Sequence, residues 1–172
     1  MSDCKLINIP IEIGIMLSKN EDGEMVDPTL FKSLVGSLSY FTCTRSNILY
    51  GVGLFSHYME APTATYWKMT KRILCYIKGT VNFGLFYSSS NDSKLVGYIN
   101  SDWGRDLDDR KSTMDFVFFM GDAAFTWTLK KQPIVTLFTS EAEYVAATSY
   151  VCHAIWLKQL LEKLKMPQQE AT

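Results

Sequence analysis

A chain of 172 residues has room for one domain of ordinary size, or a small domain with an added layer of helices, and excludes two full catalytic domains. With 47% hydrophobic and 20% charged residues it is too apolar to be disordered and can bury a core. Lys and Arg number 17 against 18 Asp and Glu, so the net charge of −1 gives no global attraction to nucleic acid or anionic lipid, and any cationic surface has to be local.

The N-terminal stretch MSDCKLINIPIEIGIML is apolar in part, but Asp3, Lys5, Asn8 and Glu12 interrupt it and no small-residue cleavage site follows, which makes it a poor signal peptide. No run of about 18 apolar residues occurs, so neither a membrane span nor a membrane partner is expected. Cys4, Cys43, Cys75 and Cys152 lie far apart without zinc-site spacing. They read as reduced, mostly buried thiols of an intracellular protein, cytoplasmic or nuclear.

Residues 18–26 form a polar stretch, and Asp27-Pro28 then offers an N-cap acid followed by proline at the first helical position. Phe31, Leu34, Val35, Leu38 and Phe41 continue at helical spacing, predicting a helix to about Thr42. A second helix is expected from Ser46 to about Glu60, where Ala61-Pro62-Thr63 breaks it. The third, from Ala64 to Lys78, is amphipathic: Tyr66, Met69, Ile73, Leu74 and Ile77 share one face, and Lys68, Lys71, Arg72 and Lys78 the other. Such a cationic face serves either as an ordinary solvated surface or as a set of phosphate contacts.

After Gly79 the periodicity shifts from 3.6 towards 2. Strands are predicted at Phe83–Ser88, Lys94–Asn100, Asp115–Met120 and Ala124–Leu129, with a short fifth around Ile134–Leu137 and turn clusters such as SSSND between them. A long helix follows, with Ser140 and Glu143 as an S-x-x-E capping box and an end near Lys165. The fold class is therefore α/β, a helical segment followed by a sheet with a long packed helix. Of the two histidines, His57 and His153, neither sits in a nucleophile motif, and no phosphate-binding glycine loop is present. Carboxylates at Asp102, Asp106, Asp108, Asp109, Glu141 and Glu143 are the richer source of hard metal ligands, although helix capping, the helix dipole and solvated turns give them a commoner explanation.

The stretches FKSLVGSLSYFTCTRSNILYGVGLFSHYMEAPT, WKMTKRILCYIKGTVNFGLFYSSS, KLVGYINSDWGRDLDDRKST, FVFFMGDAAFTWTLKKQPIV and TSEAEYVAATSYVCHAIWL resemble, in order, the C-terminal part of copia-type retrotransposon polyproteins. The resemblance implies a reverse transcriptase connecting segment over residues 1–82 and a partial ribonuclease H-like domain over 83–172, with a mixed sheet. It implies an RNA–DNA hybrid as partner and Mg²⁺ as cofactor, and it assigns Lys68, Lys71, Arg72 and Lys78, with Lys130 and Lys131, to nucleic-acid contact. No Y-x-D-D motif occurs, so polymerisation is not expected of this chain.

In the family the leading metal ligand is the first aspartate of Tyr-Ser-Asp-x-Asp-Trp. The matching residues are Tyr98-Ile99-Asn100-Ser101-Asp102-Trp103, so Asn100 replaces it. A neutral amide cannot bridge two Mg²⁺ ions as a carboxylate does, and loss of nuclease activity is expected. The second ligand falls on Glu143, a metal ligand only if a site survives; the third, an aspartate beyond the long helix, has no counterpart before Thr172. Met114 and Asp115 stand where the family has a hydroxyl residue and glycine, and Phe138 where it has a small hydroxyl residue. Asp115 is therefore expected to strain a turn. Two alternatives are a non-catalytic module binding nucleic acid or protein, and a residual nuclease using Asp102 with Glu143 and Asp106 or Asp109. Against the latter, two residues along a strand displace a ligand by about 6–7 Å. An open sheet edge also implies self-association.

Overall fold

The computed structural model describes residues 5–12, 14–15, 17–18, 23–87 and 94–168. The chain divides into two compact units, Met1–Gly84 and Leu85–Thr172.

In the first unit, α1 (Pro28–Phe41) starts as its residues dictate: the Asp27 carboxylate accepts from Thr29 N at 2.8 Å, and Pro28 opens the helix. A 3-10 turn (Ser46–Ile48) leads into α2 (Leu49–Ser56), which ends before the expected Glu60. Two glycines, Gly51 and Gly53, weaken this helix. Beyond it Tyr58 is buried and stacks on Tyr66 at 4.5 Å. α3 (Ala64–Gly79) buries Tyr66, Thr70, Ile73 and Tyr76 against Phe31, Val35, Leu38, Ile48, Val52 and Phe55. Thr70 is tolerated there because its hydroxyl donates to Tyr66 O at 2.8 Å.

The second unit is a meander of three antiparallel strands, β1 (Leu95–Asp102), β2 (Thr113–Met120) and β3 (Ala123–Lys131), in that order, followed by α4 (Thr139–Lys163). Strand alternation turns Leu95 and Gly97 of β1 and Phe116 and Phe118 of β2 towards α4, where Ala154, Leu157 and Leu161 close the core. Tyr150 stacks on Phe118 with centroids 5.0 Å apart.

Several expectations are corrected. The described sheet is antiparallel throughout rather than mixed, since parallel pairing needs a crossover and residues 164–168 after α4 form no strand. Residues 83–87 form no strand but an exposed stretch without a pairing partner, and Ser88 and the SSSND turn lie outside the described residues. The fifth strand is absent as well: Pro133 removes a ladder donor, and Thr136 is drawn inward by Ser112 Oγ at 2.9 Å and by the Trp103 indole, which donates to its carbonyl at 3.1 Å. Asp115 lies in mid-β2 with no positive φ, so it strains no turn. Cys75 is disulfide-bonded, while Cys43, in the turn after α1, and Cys152, on the α4 face turned from the sheet, are free and exposed. Cys43 and Cys152 are thus free thiols as expected but exposed rather than buried, and Cys75 is not a free thiol; Cys4 lies outside the described residues.

The capping box at Ser140 and Glu143 does not form. The helix begins at Thr139 with Phe138 as N-cap, extended (φ −149°, ψ 166°) but with no side-chain acceptor to offer. Glu141, three residues on, reaches back instead and accepts from Leu137 N at 2.6 Å. This bond falls on the residue before the N-cap rather than on the N-cap N–H of a capping box, and the N-cap itself is a phenylalanine that is 59% exposed. Phe138→Ser is expected to supply the missing N-cap acceptor and raise the stability of this unit by about 1 kcal/mol, read as a higher urea midpoint at unchanged slope. An unchanged or lower midpoint would contradict this account of the helix start.

Candidate functional site

The C-terminal end of β1 carries the residues singled out by sequence. Asn100 is exposed, on the sheet face opposite the one covered by α4, and its amide donates to Asp115 Oδ1 at 3.0 Å across the ladder, where the two residues are register partners. Asp102 shares that face and pairs with Arg105 at 2.9 Å. Glu143, released from capping, is exposed on the second turn of α4. The structure places no hydrogen bond or ion pair between Glu143 and either Asn100 or Asp102.

Sequence reasoning missed the buried group between these positions. Gln132 is 1% exposed; its amide donates to Ala142 O at 2.7 Å and, more weakly, to Ser101 Oγ at 3.4 Å, while Oε1 has no hydrogen-bond partner. It ties the residue beside Asn100 to the residue beside Glu143. Nothing local in the sequence marked it, since Gln132 follows Lys130-Lys131 one residue beyond β3 and precedes Pro133.

The loop after β1 folds on its own carboxylates. Asp106 Oδ1 accepts from the backbone N–H of Asp108 and Asp109, both at 3.0 Å, and Lys131 Nζ binds Asp106 Oδ2 at 2.5 Å and Asp109 Oδ2 at 3.3 Å. Burial pushes the Asp106 carboxyl up, but the Lys131 ammonium and the two backbone donors outweigh it and hold the group at about 2, below its ordinary 3.8. Lys131 is itself raised: burial lowers it, and the two aspartates more than reverse that. Lys131 is thus neutralised within the unit and is a poor phosphate contact, while Lys130, next to it, is exposed. A carboxyl depressed by folding stabilises above its unfolded pKa and loses that stabilisation as pH falls through the folded one. The second unit should therefore lose about 2 kcal/mol between pH ~4 and pH ~2. Asp106→Asn should remove this dependence from urea midpoints measured across the range.

On α3, Lys68, Lys71 and Lys78 are exposed and Arg72 is half-buried. Arg72 Nη1 pairs with Glu12 at 3.0 Å, and Lys71 Nζ lies 4.8 Å from the centroid of the Trp67 ring. The N-terminal segment runs against this side of the unit: Ile11 packs on Gly51 and Ile73, Leu6 reaches Gly79, and Tyr66 donates to Ser18 O. Of the four cations, then, Arg72 is half-buried and paired with Glu12 while the three lysines stay exposed, which periodicity alone could not show.

A two-Mg²⁺ site requires several carboxylate oxygens converging at one place. The residues present do not fit it: Asn100 is held by Asp115, Asp102 by Arg105 and Asp106 by Lys131, and none of these bonds involves Glu143. Among the described residues no three His, Cys, Asp or Glu side chains form a metal-holding group. Among them, too, no helix is long and apolar enough to cross a membrane.

No protein-family model matches the chain, and no solved structure matches it. Curated relatives do. The chain is 37% identical over 178 residues, covering 99% of its length, to the retrovirus-related Pol polyprotein from transposon TNT 1-94 of Nicotiana tabacum. It is 34% identical over 164 residues to that from transposon RE1 of Arabidopsis thaliana. It spans only 13% and 11% of the length of these two polyproteins. A protein named secreted RxLR effector protein 161, from Plasmopara viticola, is 34% identical over 128 residues and is covered over 90% of its length. Over nearly its whole length, then, the chain is similar to a short stretch of the retrovirus-related Pol polyproteins of plant transposons.

Proposed function

We propose that this chain is a degenerate piece of a copia-type polyprotein, a reverse transcriptase connecting segment followed by a ribonuclease H-derived domain, and that it does not cleave RNA–DNA hybrids. The observation that carries the reading is the state of position 100. An amide stands where the resemblance calls for the leading carboxylate, and it is engaged as a donor to Asp115. An amide used this way offers at most its neutral oxygen to a cation. Asp102 does not substitute readily, being two residues further along and paired with Arg105.

The test is a purified chain incubated with a labelled RNA–DNA hybrid and Mg²⁺, beside Asn100→Asp. The unmodified chain is expected to give no product, and metal-dependent cleavage by it would overturn the reading. Asn100→Asp carries a further expectation: it sets two carboxylates directly opposite each other on β1 and β2. Like charges in that position repel, so at pH 7 the variant should be less stable by up to about 1 kcal/mol, and adding Asp115→Asn should restore the loss. Chemical denaturation of the three proteins reads this directly.

A second reading, a non-catalytic module, is favoured by the exposed ammonium groups of Lys68, Lys71 and Lys130. It predicts hybrid binding that weakens steeply with salt in the same samples. Self-association is supported by the open edge of β1. Leu95 N there donates to Gln168 Oε1 at 2.8 Å rather than to a strand carbonyl, so alternation leaves the backbone groups of Gly97, Ile99 and Ser101 on the same outer side.

A further inference from the structure

Beside α3 the first unit holds a cavity of about 430 Å³, within the range of small-ligand sites. Ile7, Ile11, Ile15, Phe55 and Met69 give it an apolar lining, and Lys68, Lys71 and Arg72 stand along it against a single acid, Glu12. The cation excess calls for an anionic head. The apolar lining offers little to hydrogen-bond the edge of a nucleobase, and it suits an aliphatic tail.

Arg72 supplies the sharper observation. Its Nη1 is taken by Glu12, but its Nε is buried and has no hydrogen-bond partner. A buried N–H left unsatisfied is costly, and a carboxylate accepts from the side of a guanidinium through two parallel bonds, one of them from Nε. Lys71 is drawn over Trp67, which leaves Lys68 as the second cation at the mouth. We propose that this cavity binds an amphipathic carboxylate, its aliphatic tail among the isoleucines, Phe55 and Met69 and its head on Arg72 and Lys68.

The experiment is a calorimetric titration of the full chain with decanoate, with decanol and inorganic phosphate as parallel probes. Decanoate should saturate a single site, decanol should bind about tenfold more weakly, and phosphate should not compete. Arg72→Gln should weaken decanoate about tenfold and leave decanol unchanged. Thr65→Trp, a substitution at an exposed position lining the cavity, should abolish binding of both without moving the thermal transition, which separates blockage from unfolding. Absence of saturable decanoate binding, equal affinity for decanol, displacement by phosphate, or binding that survives Thr65→Trp would each overturn the proposal.

Discussion

Gly97→Ala is expected to destabilise the second unit by about 1–3 kcal/mol, the usual cost of forcing extra atoms into a packed core. Gly97 sits in mid-β1 on the face covered by α4, and an added Cβ would strike the Tyr150 hydroxyl and come within 2.7 Å of the Phe118 ring. Those two rings are stacked on each other with an interplanar angle of 5°, so neither moves without disturbing the other. The remaining route is to lift α4 from the sheet. Urea unfolding followed by far-UV circular dichroism measures the loss. Tyr150→Phe, which removes the struck hydroxyl, should recover part of it in the Ala background, and a variant as stable as the parent would show that α4 is not seated on β1 as described.

Arg45→Ala should cost the first unit about 2–3 kcal/mol. Arg45 lies before the 3-10 turn, yet its guanidinium closes the end of α3: Nη1 donates to Thr80 Oγ1 at 2.9 Å and Nη2 to Thr80 O at 2.8 Å and Phe83 O at 3.2 Å. Carbonyls at a helix end lack intrahelical donors and carry partial negative charge, so a cation with several donors suits them. Arg45→Lys keeps the charge but not the planar fork and should recover less than half of the loss. Thermal melts of the three proteins order them, and a lysine variant equal to the parent would reduce the effect to charge alone.

The elements legible in the sequence were those whose signals are local. Asp27-Pro28 and the apolar spacing after it located α1, the two-faced pattern located α3, and β-rich runs with a period near 2 located β1 to β3. The same signal over residues 83–87 misled, because it reports a half-buried pattern and not the presence of a neighbouring strand. At the start of α4 the S-x-x-E pattern at Ser140 misled, because the helix begins two residues earlier than it implies, with Phe138 as an N-cap that offers no acceptor. Site residues were legible as types but not as states. Whether Lys131 is a free cation depends on Asp106, 25 residues away, and whether Arg72 is one depends on Glu12 in a segment with no periodic signal. Gln132 was invisible for the same reason: its partners Ser101 and Ala142 come from a strand and a helix that meet only after folding.

The bond between Asn100 and Asp115 also bears on the history of the chain. If position 100 was once the aspartate that the resemblance implies, the present pair has exchanged a carboxylate on β1 for one on β2, with the amide holding the new charge in place. A lone reversion at 100 would then pass through an intermediate with two opposed negative charges, less fit to fold than either end point. The hydrogen bond thus acts as a ratchet on position 100: restoring a carboxylate there without a cost in stability needs a second change, at 115.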